Sequence, residues 1–155
     1  MAEFEFFYNS GAGTDLLYAD GAILEVILTA PLPLISYLAD NDLPPYATAS
    51  GMALIDTGAA VSVVDESAMM ELGIPDVETI LMQTAHGVAE LRRYNASMSL
   101  PGLGLQNLPL HLAPAGMVRT NTNAGADVLM LLGRDFLRRF VLTYDGPNSR
   151  ITVKT

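Results

Sequence analysis

The chain has 155 residues, half of them apolar and 16% charged, which suits one globular domain with its own core and excludes wholesale disorder. Its net charge of −9, with seven arginines and one lysine, leaves too few cations on any face for a nucleic-acid partner. With no cysteine, disulfide staples and thiolate metal sites are excluded.

The opening "MAEFEFFYNSGAG" carries acidic residues where a secretory leader needs basic ones, so a cytoplasmic protein is expected; in a domain excised from a longer chain, targeting signals could lie elsewhere. Residues 22–30, "AILEVILTA", read as a strand. The greasy run that continues from it is broken by Glu25, Pro31 and Pro33, a poor bilayer span, and no membrane partner is expected. Residues 31–51 hold four prolines among turn formers and are expected to form a long loop or insertion. "MALID" reads as a fully buried strand, and "AVSVV" as a second strand after a sharp turn. Asp65 can cap a helix over "ESAMMEL", with Gly73 at its C-terminal end and Pro75 beyond.

Residues 78–100 read as a long hairpin with its tip at His86-Gly87, since glycine accepts the positive φ of a tight turn; "LRRY" within it is expected on a solvated strand edge. "LQNLPLHLAP" is a strand that half-buries His111, "GMVRTNTNAGAD" is polar loop, and "VLMLLG" is a buried strand leading into the short helix "RDFLRRF". Met69, Met70, Met82, Met98 and Met130 read as core or pocket filling. The last residues form two strands around "DGPNS". The whole, 1–155, is a single mainly-β domain with one or two short helices.

Asp56 stands out. A strand ending in Asp-Thr-Gly puts an acid on a turn at the floor of a fold, where flanking apolar strands make ionisation costly unless something stabilises the charge. Gly58 lets the chain turn sharply, and the Thr57 hydroxyl can both donate and accept to lock the turn. A second carboxylate beside Asp56 would share one proton with it, and such a pair can deprotonate a water and protonate a leaving amine. "DTG" occurs once, however, and Asp135 in "GRDF" reads as a helix-capping residue. The simplest source of the second acid is a second copy of the chain, because a two-fold axis sets a residue near it against its own mate.

"ALIDTGAAVSVV" resembles the active-site segment of the retroviral-type (retropepsin-like) aspartic proteases, in which Ser or Thr follows shortly after the turn, here Ser62. "VLMLLGRDFL" resembles the family's second hallmark, an apolar run ending in Gly before a short helix. The two motifs with a hairpin between them span most of the chain from residue 22 onward.

The resemblance implies a retropepsin-like acid protease fold, a closed barrel-like single lobe with a flap hairpin, acting as a homodimeric aspartic endopeptidase on peptide or protein substrates without cofactor or metal. It implies that Asp56 is the catalytic acid and base, one from each protomer. Thr57 would reach across the dimer axis and Gly58 would offer its backbone to substrate. Leu132 and Gly133 would thread against the catalytic turn, and Arg134 would support it, although the acid that pairs with it in many relatives is replaced here by Ala60. Ala59 stands where two-lobed relatives have Ser. Without that hydroxyl the ionised acid is less favoured, so the pH optimum is expected above that of an Ala59→Ser variant. The flap would be the 81–94 hairpin, with Ala85, His86, Gly87 and Val88 about its tip; with a single glycine there, it departs from the glycine-rich viral flaps. The alternative is a dimer of the same fold with little or no activity, used for protein binding or scaffolding. No zinc site is expected, because the two histidines lie far apart with no cysteine between them.

Overall fold

The computed structural model describes residues 1–9 and 15–155; the single-domain reading of 1–155 includes five residues outside that set. The strands are β1 (Glu3–Phe7), β2 (Ile23–Thr29), β3 (Ala49–Ile55), β4 (Val63–Asp65), β5 (Glu78–Thr84), β6 (Gly87–Leu100), β7 (Leu105–Gly116), β8 (Thr120–Asn121), β9 (Asp127–Leu132), β10 (Val141–Asp145) and β11 (Arg150–Lys154). The helices are α1 (Leu16–Asp20), α2 (Leu32–Asp40), α3 (Glu66–Leu72) and α4 (Arg134–Leu137), with a single 3₁₀ turn at Pro101–Leu103.

Strand pairing closes a barrel. Neighbours run β2-β3-β9-β4-β7-β6, and β6 pairs back to β2, so each of these six strands has a partner on both sides. Closure removes the open edges through which strands aggregate. β6 can serve both ends because it is long: its first half carries β5 as a hairpin, and Ser97–Ser99 meet Thr29–Ile27 of β2. Arg92 and Arg93 therefore lie on a strand paired with both β5 and β7. This corrects the solvated-edge reading of "LRRY", whose Tyr94 is buried. The β6–β7 register shifts between Tyr94 and Ala96, where the Asn95 side chain accepts the Leu112 N–H (3.1 Å) and φ of Leu112 turns positive.

The core fills the barrel with Val26, Leu28, Ala53, Val64, Leu100, Met130 and Leu132, roofed by Met69 and Leu72 of α3. Each large side chain so enclosed stabilises the fold by roughly 1.5–3 kcal/mol. Met69, Met98 and Met130 fill core as expected, whereas Met70 is exposed on the opposite face of α3. A second sheet, ordered β1-β11-β10, joins the two ends of the chain antiparallel, Glu3 opposite Lys154. The period-2 run "EFEFF" had the signature of a strand, but β1 was not among the elements expected from sequence.

Three expectations need correction. Residues 31–51 are not one loop: α2 occupies Leu32–Asp40, and β3 already starts at Ala49. Pro31 and Pro33 fall at the cap and in the first turn, where a helix has no use for their missing N–H groups. β3 is only partly buried along its length, not fully. Finally, "AVSVV" contributes just Val63 and Val64 to a strand, because the Ala59 and Ala60 carbonyls and the Ser62 N–H bond to α4 instead of to a ladder. α3 matches the sequence reading, with the Asp65 carboxylate accepting the Ala68 N–H and Gly73 left-handed at φ 75°.

Candidate active site

The barrel order puts β9 between β3 and β4, which are consecutive in sequence. The link between them, residues 56–62, must therefore cross the end of β9. That crossing builds the site. Asp56 donates its N–H to the Leu132 carbonyl (3.0 Å), and Gly133 passes so close that a Cβ there would lie 2.6 Å from the Val61 carbonyl carbon. Any side chain at 133 would displace the loop.

Asp56 caps its own turn. The Gly58 N–H donates to Oδ1 (2.9 Å), and the Ala59 N–H donates to the Asp56 carbonyl (3.2 Å). The carboxylate is half-buried, not enclosed as the flanking apolar residues had implied. Among the described residues, Oδ2 accepts no hydrogen bond. Thr57 and Gly58 are exposed beside it.

α4 braces this turn from the other motif. The Arg134 guanidinium donates through Nη1 to the Thr57 carbonyl (2.8 Å) and the Gly58 carbonyl (3.0 Å). Backbone bonds add to this: Arg134 N–H to the Ala59 carbonyl (2.9 Å) and Asp135 N–H to the Ala60 carbonyl (3.1 Å). With Ala60 offering no side-chain acid, the arginine takes main-chain oxygens instead.

Asp135 is not the cap of α4, which corrects the sequence reading: the cap is Gly133 with no side-chain bond, and Asp135 lies in the first turn. Its carboxylate accepts the Ser62 N–H (3.0 Å) and the Ser62 hydroxyl (2.8 Å), while the Ser62 Oγ accepts the Gly133 N–H (3.0 Å). Asp135 and Ser62 thus pin the far end of the link that begins with the Asp-Thr-Gly turn. The sequence offered both residues in the two motifs, but nothing local signals that they meet. Leu132 meets Asp56 and Arg134 meets Thr57 and Gly58, whereas Gly133 meets Val61 and Ser62 at the far end of the same link.

The hairpin is β5 and β6, with Ala85 and His86 as its two-residue turn and Gly87 (φ 111°) as the first residue of β6. The tip sits one residue earlier than the sequence reading placed it. The Thr84 hydroxyl donates to the Gly87 carbonyl (2.8 Å) and accepts the His86 N–H (3.2 Å), which stiffens a turn that has a single glycine. Ala85, His86 and Val88 are exposed. His111 is exposed as well, correcting its half-buried assignment. Among the described residues no group of acids and histidines is arranged to hold a metal ion, and no helix is long and apolar enough to cross a membrane.

A six-stranded closed barrel, a hairpin beside it, and an Asp-Thr-Gly turn crossing a Leu-Leu-Gly strand end define a retropepsin-like fold. Residues 47–136 match the family model described as aspartyl protease, a segment holding both motifs and most of the barrel. The chain belongs to that family. It is also similar to a solved structure, the crystal structure of a retropepsin-like aspartic protease from Rickettsia conorii. The identity is 14% over 98% of this chain and 91% of that chain, with a TM-score of 0.42. At that score the fold assignment stands on the strand pairing of this chain, not on the overlay. No curated protein matches the chain.

Proposed function

We propose that the protein is an aspartic endopeptidase whose active site forms between two copies of the chain, each supplying one Asp56. The observation that carries this reading is the open Oδ2 of Asp56 on a braced, half-exposed turn. Asp135, the other acid of the two motifs, is committed to Ser62. A second acid for Asp56 is therefore sought outside the protomer, and a two-fold axis near the turn would supply its mate.

Two facing carboxylates share one proton. The ionised one takes a proton from a water held between them as the water oxygen attacks the peptide carbonyl carbon. The protonated one gives its proton to the carbonyl oxygen. The resulting tetrahedral diol then collapses: the C–N bond breaks, the nitrogen takes a proton from the dyad, and the second hydroxyl returns one to it. No covalent intermediate or metal takes part. Gly58 would present main-chain groups to the substrate, the 81–94 hairpin would close over it as a flap, and an extended peptide would bind as an added strand. A chain without cysteine suits the reducing cytoplasm, where we place it. The pairing of β1 with β11 supports reading 1–155 as one domain.

Digesting a mixed peptide library with wild type and Asp56→Asn, with and without pepstatin, tests this function. Cleavage that disappears in the variant and under inhibitor is the expected result. Equal, negligible cleavage by both would favour the same fold acting as a binding module.

A further inference from the structure

A cavity of about 470 Å³ opens on the half-buried face of the β5–β6 hairpin. The hairpin contributes Ile80 and Met82, which alternate with the exposed Leu81 and so share that face. Leu112 of β7 adds a third apolar side chain, and Val61, on the segment leaving the catalytic turn, adds a fourth.

The charges around this cavity are not equally free. Arg93 lines it, but its Nη1 is held by Glu78 (2.7 Å) and its Nε by the Leu112 carbonyl (2.8 Å). Asp135 lines it too, with its carboxylate turned to Ser62. Arg139, one turn along from Asp135, is exposed, and among the described residues its guanidinium has no ion pair and no hydrogen-bond acceptor. The exposed imidazole of His111 stands on the same cavity wall system. In a chain of net charge −9, an uncommitted guanidinium beside an apolar wall is a place where a carboxylate gains and a cation does not.

We propose that this cavity is a specificity subsite for an acidic side chain of the peptide substrate. Arg139 is its charge partner, and Ile80, Met82 and Leu112 pack the methylenes. The assignment rests on the peptidase reading for its position relative to the cut bond. Val61 follows Asp56 by five residues, a chain span of at most about 17 Å, which an extended peptide covers in about five residues. The acidic residue is therefore expected within about five positions of the bond that is cleaved.

Two measurements separate this proposal from the activity itself. In the first, a mixed octapeptide library is digested by wild type and by Arg139→Glu, and the products are sequenced. Wild type is expected to favour Asp and Glu at one fixed position by about fivefold, the scale of a solvent-exposed ion pair, and Arg139→Glu to favour Lys and Arg there instead. In the second, the same library is captured on immobilised Asp56→Asn and on Asp56→Asn combined with Arg139→Glu, then sequenced without any cleavage. If neither enzyme cuts but capture still enriches acidic peptides in an Arg139-dependent way, the subsite stands and the peptidase reading falls. If wild type cuts with no acidic preference, the subsite is overturned while the peptidase reading survives, and capture that is the same with and without Arg139 overturns the subsite whatever the cleavage result.

Discussion

Asp56 and Asp65 make an instructive pair. Both follow apolar strand residues, Asp56 just after β3 and Asp65 as the last residue of β4. Asp65 is 3% exposed and fully used: its oxygens accept the Ala68, Val118 and Arg119 N–H groups and the Ser67 hydroxyl, with the Arg119 guanidinium at 3.4 Å. Arg119 also reaches Glu71 (2.9 Å) and Asp127 (3.4 Å), tying α3 to the loop before β9. Asp56 is half-exposed, with one oxygen held by Gly58 and the other open. A buried acid that builds structure has its lone pairs filled, because an unfilled one would cost about 1–3 kcal/mol. Asp56 keeps one free while Leu132, Arg134 and Asp135 hold the turn's backbone, the arrangement that the proposed acid–base role requires.

Substitutions at these positions should therefore separate activity from stability. Asp56→Asn is expected to cost the most activity, on the order of a thousandfold or more in kcat, because a general acid–base group is removed. Its melting temperature should stay close to wild type in a calorimetric scan, since the side chain accepts a single bond. Asp65→Ala is expected to do the reverse. Losing a helix cap and several buried acceptors should destabilise the fold by about 3 kcal/mol, lowering Tm by roughly 6–12 °C. Cleavage at low temperature should survive in it. A loss of stability in Asp56→Asn as large as in Asp65→Ala would erase the distinction.

Acidification sharpens the same contrast. Burial opposes ionisation of Asp65, but the Ser67 hydroxyl and the Arg119, Ala68 and Val118 N–H groups outweigh it and hold its carboxyl below the usual carboxylate range. A carboxyl depressed in the folded state gives stability that is present above its unfolded value, about 4, and is lost as pH falls through the lower folded value. Denaturant midpoints should therefore fall with decreasing pH below about 4, and fall less steeply in Asp65→Asn.

Smaller effects are expected at the brace. Arg134→Met removes the donors to the Thr57 and Gly58 carbonyls and should lower kcat/KM by roughly tenfold, mostly in kcat, by letting the turn wander. Arg134→Lys should recover part of that. The smallest effect belongs to Ala59→Ser, which adds a hydroxyl next to the Asp-Thr-Gly turn and should move the pH optimum downward. An unchanged or higher optimum in the serine variant would show that the hydroxyl does not reach the carboxylate.

What was readable in the chain, and what was not, follows from range. "LIDTGA" and "LLGRD" are contiguous words whose strand-turn and strand-helix forms are set locally, and both have the expected form. The Asp65-to-Gly73 helix was equally legible, because capping is decided within a few residues. The Ser62–Asp135 clamp joins residues separated by 73 positions, and no local pattern announces it. The partner of Arg134 was sought among side chains, whereas backbone carbonyls carry no residue signature at all. α2 was hidden by its prolines, which count against a helix everywhere except in the first turn where these two lie. The strand expected over residues 60–64 was shortened by a neighbour, α4, that competes for the same backbone groups.

The most direct check on the account is specific activity measured against protein concentration, alongside the mass seen by sedimentation equilibrium over the same range. Two Asp56 residues meeting between copies predict that activity per chain collapses as the dimer dissociates, and that excess Asp56→Asn quenches wild type by forming mixed pairs. Activity that stays proportional to concentration where sedimentation finds only single chains would contradict it.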